Sequence, residues 1–357
     1  MQKEYGSNFC EELNKGADRL EDGHGRIFFD SGRSALRYLL DALGTEIKSV
    51  MLPQYNCESV FEPFIKRAYE INYYPLDRNL RPCAGEFERL VRKVNPQLIL
   101  VQSYFGFDTL AGERDFLAGL REQGVIVVED ITHRMFMTGV TECSDYRFAS
   151  LRKWCQIPDG GVLLGLDKNK TPGGGGLKEN TPFVDMRLEA QRLKRLFIAC
   201  ETEQTDKSFI ALYDESERIL DSQEGCYTMS SYTRDRITAL DCGGIILRRR
   251  NNYSALNDAL SRAEGLEKVF DGLDGNAVPL YFPIYIKNGA RDELRMRMRR
   301  KNIFLPVIWP VPPMLKDISG AVSDIYDMIL AVPCDQRYSR EEMLYIAGEI
   351  KSELKFC

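Results

Sequence analysis

Short apolar runs alternate with amphipathic segments through the first half of the chain. Residues 34–43 (SALRYLLDAL) carry apolar side chains at helical spacing, directly after Asp30-Ser31-Gly32-Arg33. Residues 49–53 read as a short strand ending in a turn, 59–68 as a helix, 70–74 as a strand and 86–94 as a helix. Residues 98–102 form an apolar strand, 114–123 a helix and 125–129 a second apolar strand, and 162–164 add another after a Gly-Gly turn. Continuous apolar runs between amphipathic helices predict a mostly parallel sheet covered on both faces.

From about 183 to 265 the pattern is mainly helical, and a second α/β unit follows. It comprises strands at 280–286, 303–307 and 328–332, a helix at 292–301 and a terminal helix at 340–354. Ser339, with Glu342 three residues on, has the capping-box spacing that starts such a helix. These segments divide the chain into an N-terminal segment and large domain over 1–240 and a small C-terminal domain over 241–357. Residues 1–25 read as a leading helix and loop. Residues 167–180 are polar and contain Gly173-Gly174-Gly175-Gly176, which follows no helix signal and reads as a mobile loop. No internal repeat is visible.

A chain of 357 residues with 44% hydrophobic content can build two domains, or one large domain with an appendage. The net charge of −5 argues against nucleic acid, and Arg248-Arg249-Arg250 and the basic run at 295–301 read as solvated helix faces. The 10 cysteines are scattered with no C-x-x-C pair, a pattern of reduced cytosolic thiols. The 2 histidines, His24 and His133, are too few for a His-based zinc site, so no metal is expected. The N-terminus lacks an apolar signal core, and no run reaches the ~18 apolar residues of a membrane span. A soluble cytoplasmic protein that does not engage membranes is the expectation.

The candidate chemistry lies in two segments. The first, Val125 to His133, is an apolar strand ending in Glu129-Asp130, and the second is Ser150-Leu151-Arg152-Lys153 followed by Asp159-Gly160-Gly161. An acid at a strand end and a lysine on a loop between two strands is what a pyridoxal phosphate site needs. The carboxylate pairs with the pyridinium nitrogen, and the amine forms the Schiff base. Parallel sheets place ligands at the carboxyl ends of strands, where Asp130 sits. Lys153, beside Arg152, is expected to be activated by desolvation or by a neighbouring cation. Ser150 can donate to a phosphate. Ser31-Gly32-Arg33-Ser34 opens a helix whose free N–H groups suit the same anion, Gly32 allowing close approach and Ser34 capping or donating. His133 can reach the cofactor ring oxygen or orient Asp130, Tyr55 can stack on the ring, and Ser103 ends a strand and can face the site. Each also has an ordinary structural reading, as a cap, a core side chain or a surface lysine.

The ordered set resembles the DegT/StrS-type sugar aminotransferases, of pyridoxal phosphate fold type I. Ser31-Gly32-Arg33-Ser34-Ala35-Leu36 resembles the family's G-T-x-A-L helix start, and Leu52-Pro53-Gln54-Tyr55 its P-x-F/Y segment. Ser103-Tyr104-Phe105-Gly106 is similar to H-L-Y-G, and Glu129-Asp130-Ile131-Thr132-His133 to E-D-x-A-H. Lys153 to Gly161 resembles the K-to-G-G run, and segments 303–313 and 329–339 its C-terminal elements. The chain departs from the family in Phe148-Ala149-Ser150-Leu151-Arg152-Lys153, where S-F-H-P-x-K is usual, and in Arg33, where threonine is usual. Cys226 to Ser231 lacks the asparagine often supplied to the partner subunit's phosphate.

The resemblance implies an α/β fold with a large domain built on a mostly parallel central sheet, plus a smaller C-terminal α/β domain. It implies a homodimer in which Lys153 is the catalytic lysine and proton shuttle. Asp130 would bind the pyridinium, His133 the ring or its hydroxyl, and Gly32, Arg33, Ser34 and Ser150 would lie near the phosphate. The activity implied is transfer of an amino group from a donor, glutamate, to a keto acceptor such as a keto-sugar nucleotide. Two other readings stay open: a pyridoxal phosphate-dependent lyase acting on an amino acid, and a non-catalytic binding or regulatory protein of the same fold. Trp309 and the segment 281–285 are candidates for the acceptor pocket.

Overall fold

The computed structural model describes residues 3–10, 25–165, 176–199, 207–315 and 320–356. The expected leading helix and most of the glycine-rich loop lie outside the described residues. In chain order the elements are β1 (Arg26–Phe29), α1 (Gly32–Leu43), β2 (Ser49–Pro53), α2 (Glu58–Lys66), β3 (Glu70–Tyr74), α3 (Glu86–Val94), β4 (Leu98–Gln102) and α4 (Arg114–Glu122). There follow β5 (Ile126–Asp130), β6 (Tyr146–Ser150), β7 (Gly161–Leu164), α5 (Thr181–Ala199), α6 (Ser208–Ser222), α7 (Ser231–Ile237) and α8 (Cys242–Ala259). The chain closes with β8 (Leu266–Lys268), β9 (Phe282–Ile286), α9 (Arg291–Arg300), α10 (Ala321–Met328), β10 (Ile329–Val332) and α11 (Arg340–Leu354). A seven-stranded mixed sheet has the order β1-β7-β6-β5-β4-β2-β3, and a three-stranded sheet the order β10-β9-β8.

The chain forms two compact units, each discontinuous in sequence. The first contains residues 1–44 and 148–243, the second 45–147 and 244–357. One of the three crossings, after Gly243, lies beside the boundary expected at 240/241; the crossings after Gly44 and Arg147 have no counterpart in that expectation.

In the second unit β2, β3, β4 and β5 are parallel, with Gln102 of β4 in register with Asp130 of β5. The side chains of Leu98, Ile99, Leu100 and Val101 are fully buried, as a central strand covered on both faces requires. The smaller sheet is antiparallel, and α11 begins with the expected capping box, Ser339 and Glu342 exchanging bonds with each other's backbone. The segment 303–307, expected as a strand, makes an isolated bridge at Ile303 and is otherwise irregular. Pro306 has no N–H to continue a ladder, although its carbonyl accepts from Ala331 N at 3.0 Å.

In the first unit β1 pairs antiparallel with β7, and Ser31 caps α1 by accepting from Ser34 N. The approach of β7 is close: a Cβ on Gly161 would lie 2.1 Å from the Ser31 carbonyl oxygen. Helices α5 and α6 pack through Ala190, Phe197, Phe209 and Tyr213. The short strands β1, β6 and β8 and the helix α10 were not legible in the apolar pattern.

The turn after β4 depends on Gly106. Its φ is +90°, and a Cβ there would fall 1.8 Å from the Val278 carbonyl oxygen, within the second unit. Gly106→Ala is therefore expected to lower unfolding free energy by about 2–4 kcal/mol, measured by chemical denaturation.

Candidate active site

In the second unit the alternation of β5 sorts two acids onto opposite faces. Glu129 is fully buried and is gripped by Arg134, whose Nε and Nη2 donate to its two carboxylate oxygens at 2.6 Å each. Asp130, also buried, faces the other way, and its Oδ1 accepts from Thr132 N at 2.8 Å. These two contacts tie the 3₁₀ turn Thr132–Arg134 to the strand end and set the direction of His133.

His133 is buried and held from two sides. Phe105 N donates to its Nδ1 at 3.2 Å, and its ring stacks on Trp309 with centroids 5.2 Å apart and planes 10° from parallel. Phe105 presents that N–H from a left-handed conformation, φ 55°, just before Gly106. An Nδ1 that accepts from an amide carries no proton, so the neutral ring bears its hydrogen on Nε2 and is a donor there.

Tyr55, Tyr104 and Trp309 join this wall. Tyr55 lies edge-on to Trp309 at 4.9 Å and to Tyr326 at 5.0 Å, and Tyr104 donates its hydroxyl to the Tyr55 carbonyl at 2.6 Å. Burial pushes the phenols of Tyr55 and Tyr104 well above their ordinary range, so both stay protonated. The Tyr55 hydroxyl and Ser103 Oγ are buried without a hydrogen-bond partner among the described residues. The structure thus groups Asp130, His133, Tyr55 and Ser103 at or beside the carboxyl ends of β2, β4 and β5.

In the first unit Lys153 ends the 3₁₀ turn Leu151–Lys153, on a loop between two strands as expected, although the strand before it is β6, which the sequence did not predict. The return loop is clamped at both ends: Leu151 N donates to Gly160 O at 3.0 Å, and Gly160 N to Asp30 O at 2.6 Å. Asp159 is buried and accepts from Ser230 N at 2.6 Å, from Ser230 Oγ at 2.7 Å and from Thr233 Oγ1. The desolvation expected for Lys153 is not found in this protein chain: its side chain is exposed. Its neighbour Arg152 is the sequestered cation, bonded to Glu217 at 2.8 Å, and Arg187 reaches the same carboxylate oxygen at 2.9 Å. Burial works to raise the Glu217 carboxyl, but the two guanidiniums outweigh it and bring its pKa down to about 2. Burial, with the like charge of Arg152, lowers Arg187 to about 10.

Around the start of α1, Gly32 lies against Ser150, since a Cβ on Gly32 would sit 3.2 Å from Ser150 N. Ser34 Oγ donates to Asp30 Oδ1 at 2.5 Å and accepts from Gln223 Nε2 at 2.9 Å. Burial raises the Asp30 carboxyl, against the hydrogen bonds from Ser34, Asn180, Ser31 and Gln223. Arg33 is engaged with α6, donating to Leu220 O at 2.8 Å and pairing with Asp221 at 2.8 Å. Gly32, Ser34 and Ser150 are thus gathered at one helix start, and Arg33 is directed elsewhere. Asp30, Glu217 and Gln102 were missed in the sequence. The available signal was a polar residue closing an apolar run, as in Leu98 to Gln102.

In the second unit, the unpartnered polar atoms of Gln102, Ser103 and Tyr55 at strand ends suit a flat ring with polar substituents; in the first, the narrow Gly32–Ser150 approach at a helix start suits a phosphate, the two kinds of group that pyridoxal phosphate carries.

No protein-family model matches this sequence, and a comparison with curated proteins finds no match either. Solved structures do match its fold. PseC of Helicobacter pylori, an aminotransferase involved in the biosynthesis of pseudoaminic acid, superposes with a TM-score of 0.69 at 10% identity, over 99% of this chain and 100% of that one. The sugar aminotransferase CalS13 of Micromonospora echinospora gives 0.64 at 14% identity, over 96% and 99%. The putative sugar aminotransferase Spr1654 of Streptococcus pneumoniae, in its PLP-form, gives 0.61 at 11% identity, over 93% and 87%. The chain therefore has the fold of the sugar aminotransferases, the α/β fold type I of the pyridoxal phosphate enzymes.

Two outcomes follow. With only 2 histidines in the chain, His24→Gln leaves one imidazole, and ¹⁵N-resolved NMR should find His133 protonated on Nε2. Glu217→Gln should lose about 1–2 kcal/mol at neutral pH, discounted because the Glu217 side chain is 47% exposed. A carboxyl whose folded pKa is depressed stabilises above its unfolded value and loses that contribution as pH falls. The gap between variant and parent should therefore close from pH 4.5 down toward 2 in denaturation curves.

Proposed function

We propose that this protein is a pyridoxal phosphate-dependent aminotransferase that moves an amino group from an amino-acid donor, glutamate, to a keto acceptor of the keto-sugar nucleotide class. The observation that carries the reading is the buried strand-end Asp130, in register with Gln102, whose polar atoms have no partner among the described residues, on a fold shared with solved sugar aminotransferases. The names of those proteins support the acceptor class, and the PLP-form of Spr1654 supports the cofactor. We further propose a cytoplasmic homodimer.

Bound pyridoxal phosphate would supply an electron sink for the carbon that gains or loses the amino group. Asp130 Oδ2 would keep a proton on the ring nitrogen, while Oδ1 stays fixed by Thr132 N. His133 Nε2–H would donate to the ring oxygen, its polarity set by Phe105 N at Nδ1. Tyr55 and Trp309 would wall the site and exclude water. Lys153 would be the lysine that holds the cofactor covalently, and its amine would serve as the base and then the acid that moves the substrate proton. Ser150 Oγ and the first N–H groups of α1 at Gly32 would hold the phosphate. Ser34 would serve them indirectly, through Asp30.

The test is the visible spectrum of the purified protein with pyridoxal phosphate, before and after borohydride, beside Lys153→Ala. A visible band that borohydride converts into a covalent adduct mapped to Lys153, and that the variant lacks, is expected. Glutamate should then bleach the parent and release 2-oxoglutarate, and Lys153→Ala should cut turnover by about 10²–10⁴-fold. Saturating cofactor that leaves the parent colourless would rule the reading out and favour the non-catalytic one. Carbon–carbon cleavage products from the donor would favour the lyase.

A further inference from the structure

Gln102 closes β4, a strand buried along its whole length, and is itself 1% exposed. Its register partner on the neighbouring parallel strand is Asp130. Register partners on adjacent strands project to the same face of a sheet, so Gln102 and Asp130 project to one face at neighbouring strand ends. Both Nε2 and Oε1 of Gln102 lack a hydrogen-bond partner among the described residues. A buried amide with neither end satisfied is rare, because each orphaned group keeps its full desolvation cost. The four residues before it in β4 are aliphatic, so a leucine at 102 would continue the pattern and carry no such cost. Ser103, whose hydroxyl is also unpartnered, follows Gln102 directly, and Tyr55, likewise unpartnered, lies just past the end of the neighbouring strand β2, so the deficit is shared by adjacent strand ends.

We propose that Gln102 is a ring-binding residue: its carboxamide hydrogen-bonds the polar edge of the heteroaromatic ring that Asp130 holds, and so sets that ring's position at the end of β4. The inference rests on the pyridoxal phosphate reading above. With the ring-nitrogen proton committed to Asp130, the Gln102 carboxamide can donate from Nε2 to the ring oxygen, which has a second lone pair beyond the one facing His133. Asp130 alone fixes one atom of such a ring, and a second planar contact beside it fixes rotation about that point.

The experiment compares the parent with Gln102→Leu and Gln102→Met, both of similar volume and without the polar ends. Thermal unfolding of cofactor-stripped protein is measured first, followed by spectral titration with pyridoxal phosphate. Removal of an unsatisfied buried amide should leave the midpoint of the stripped protein unchanged or raise it by about 1–3 °C. Affinity for pyridoxal phosphate should fall about tenfold, the loss of one hydrogen-bonded contact, and the cofactor-induced rise in midpoint should shrink. Affinity within twofold of the parent in both variants would overturn the proposal. So would a fall of several degrees in both stripped variants with affinity retained, since the amide would then serve the fold. Should Gln102→Leu alone fail to fold, Gln102→Met decides. Failure of the parent itself to bind the cofactor would sink the functional reading together with this one, whereas a parent that binds while both variants keep its affinity sinks only this one.

Discussion

The buried Glu129–Arg134 pair fixes what the second unit can do. Two oxygens and two guanidinium nitrogens meet at 2.6 Å in a site where neither side chain sees much water. Breaking such a pair from one side costs about 3–5 kcal/mol, because the remaining charge is left buried. Strand side chains alternate, so committing Glu129 to one face commits Asp130 to the other. A slip of one residue in β5 would exchange the two acids and leave Arg134 stranded. The ion pair thereby holds the register of Gln102 with Asp130 and anchors the turn that carries His133.

His133 shows how backbone strain is put to use. Phe105 adopts a left-handed conformation that a bulky residue rarely takes, and Gly106 follows with a φ that favours glycine. Val278 N and Leu280 N hold the two carbonyls of that turn at 3.0 and 2.9 Å. The cost of the turn is met by these bonds, and its product is one N–H aimed at Nδ1. A relaxed turn would leave the tautomer of His133 open, and with it the choice between offering a donor and offering an acceptor.

Much of this was legible in the sequence, because the strongest signals were local. The runs at 49–53, 70–74, 86–94 and 98–102 match β2, β3, α3 and β4 to the residue, since each is bounded by turn residues and has one unbroken pattern. Asp130 could be found because an acid ending a run of valines is conspicuous. The strand expected at 303–307 failed at Pro306, whose missing N–H is a backbone fact that apolar content conceals. β1 and β6 were missed because four or five residues with an internal or leading arginine do not stand out from a loop. Arg33 and Lys153 were singled out by residue type, and no spacing could reveal that Arg33 is bound to Leu220 and Asp221, or that Lys153 lies exposed while Arg152 is sequestered. Long side chains take their direction from tertiary partners.

The polar groups near the start of α1 and those at the ends of β2 and β4 are satisfied to different degrees, and the contrast bears on which groups can meet a ligand. In the first unit the polar side chains near α1 satisfy one another: Ser31, Ser34, Asn180 and Gln223 close around Asp30, and Ser230 and Thr233 around Asp159. A group already bonded gains little by turning to a ligand, since one hydrogen bond is exchanged for another. Ser34 is therefore better suited to steady the helix start than to bind an anion, and the work of binding falls to the backbone N–H groups that a helix start leaves over. In the second unit Gln102, Ser103 and Tyr55 keep polar atoms for which the described residues offer no partner. Desolvation of those atoms has already been paid during folding, so a ligand that supplies partners recovers nearly the whole strength of each bond.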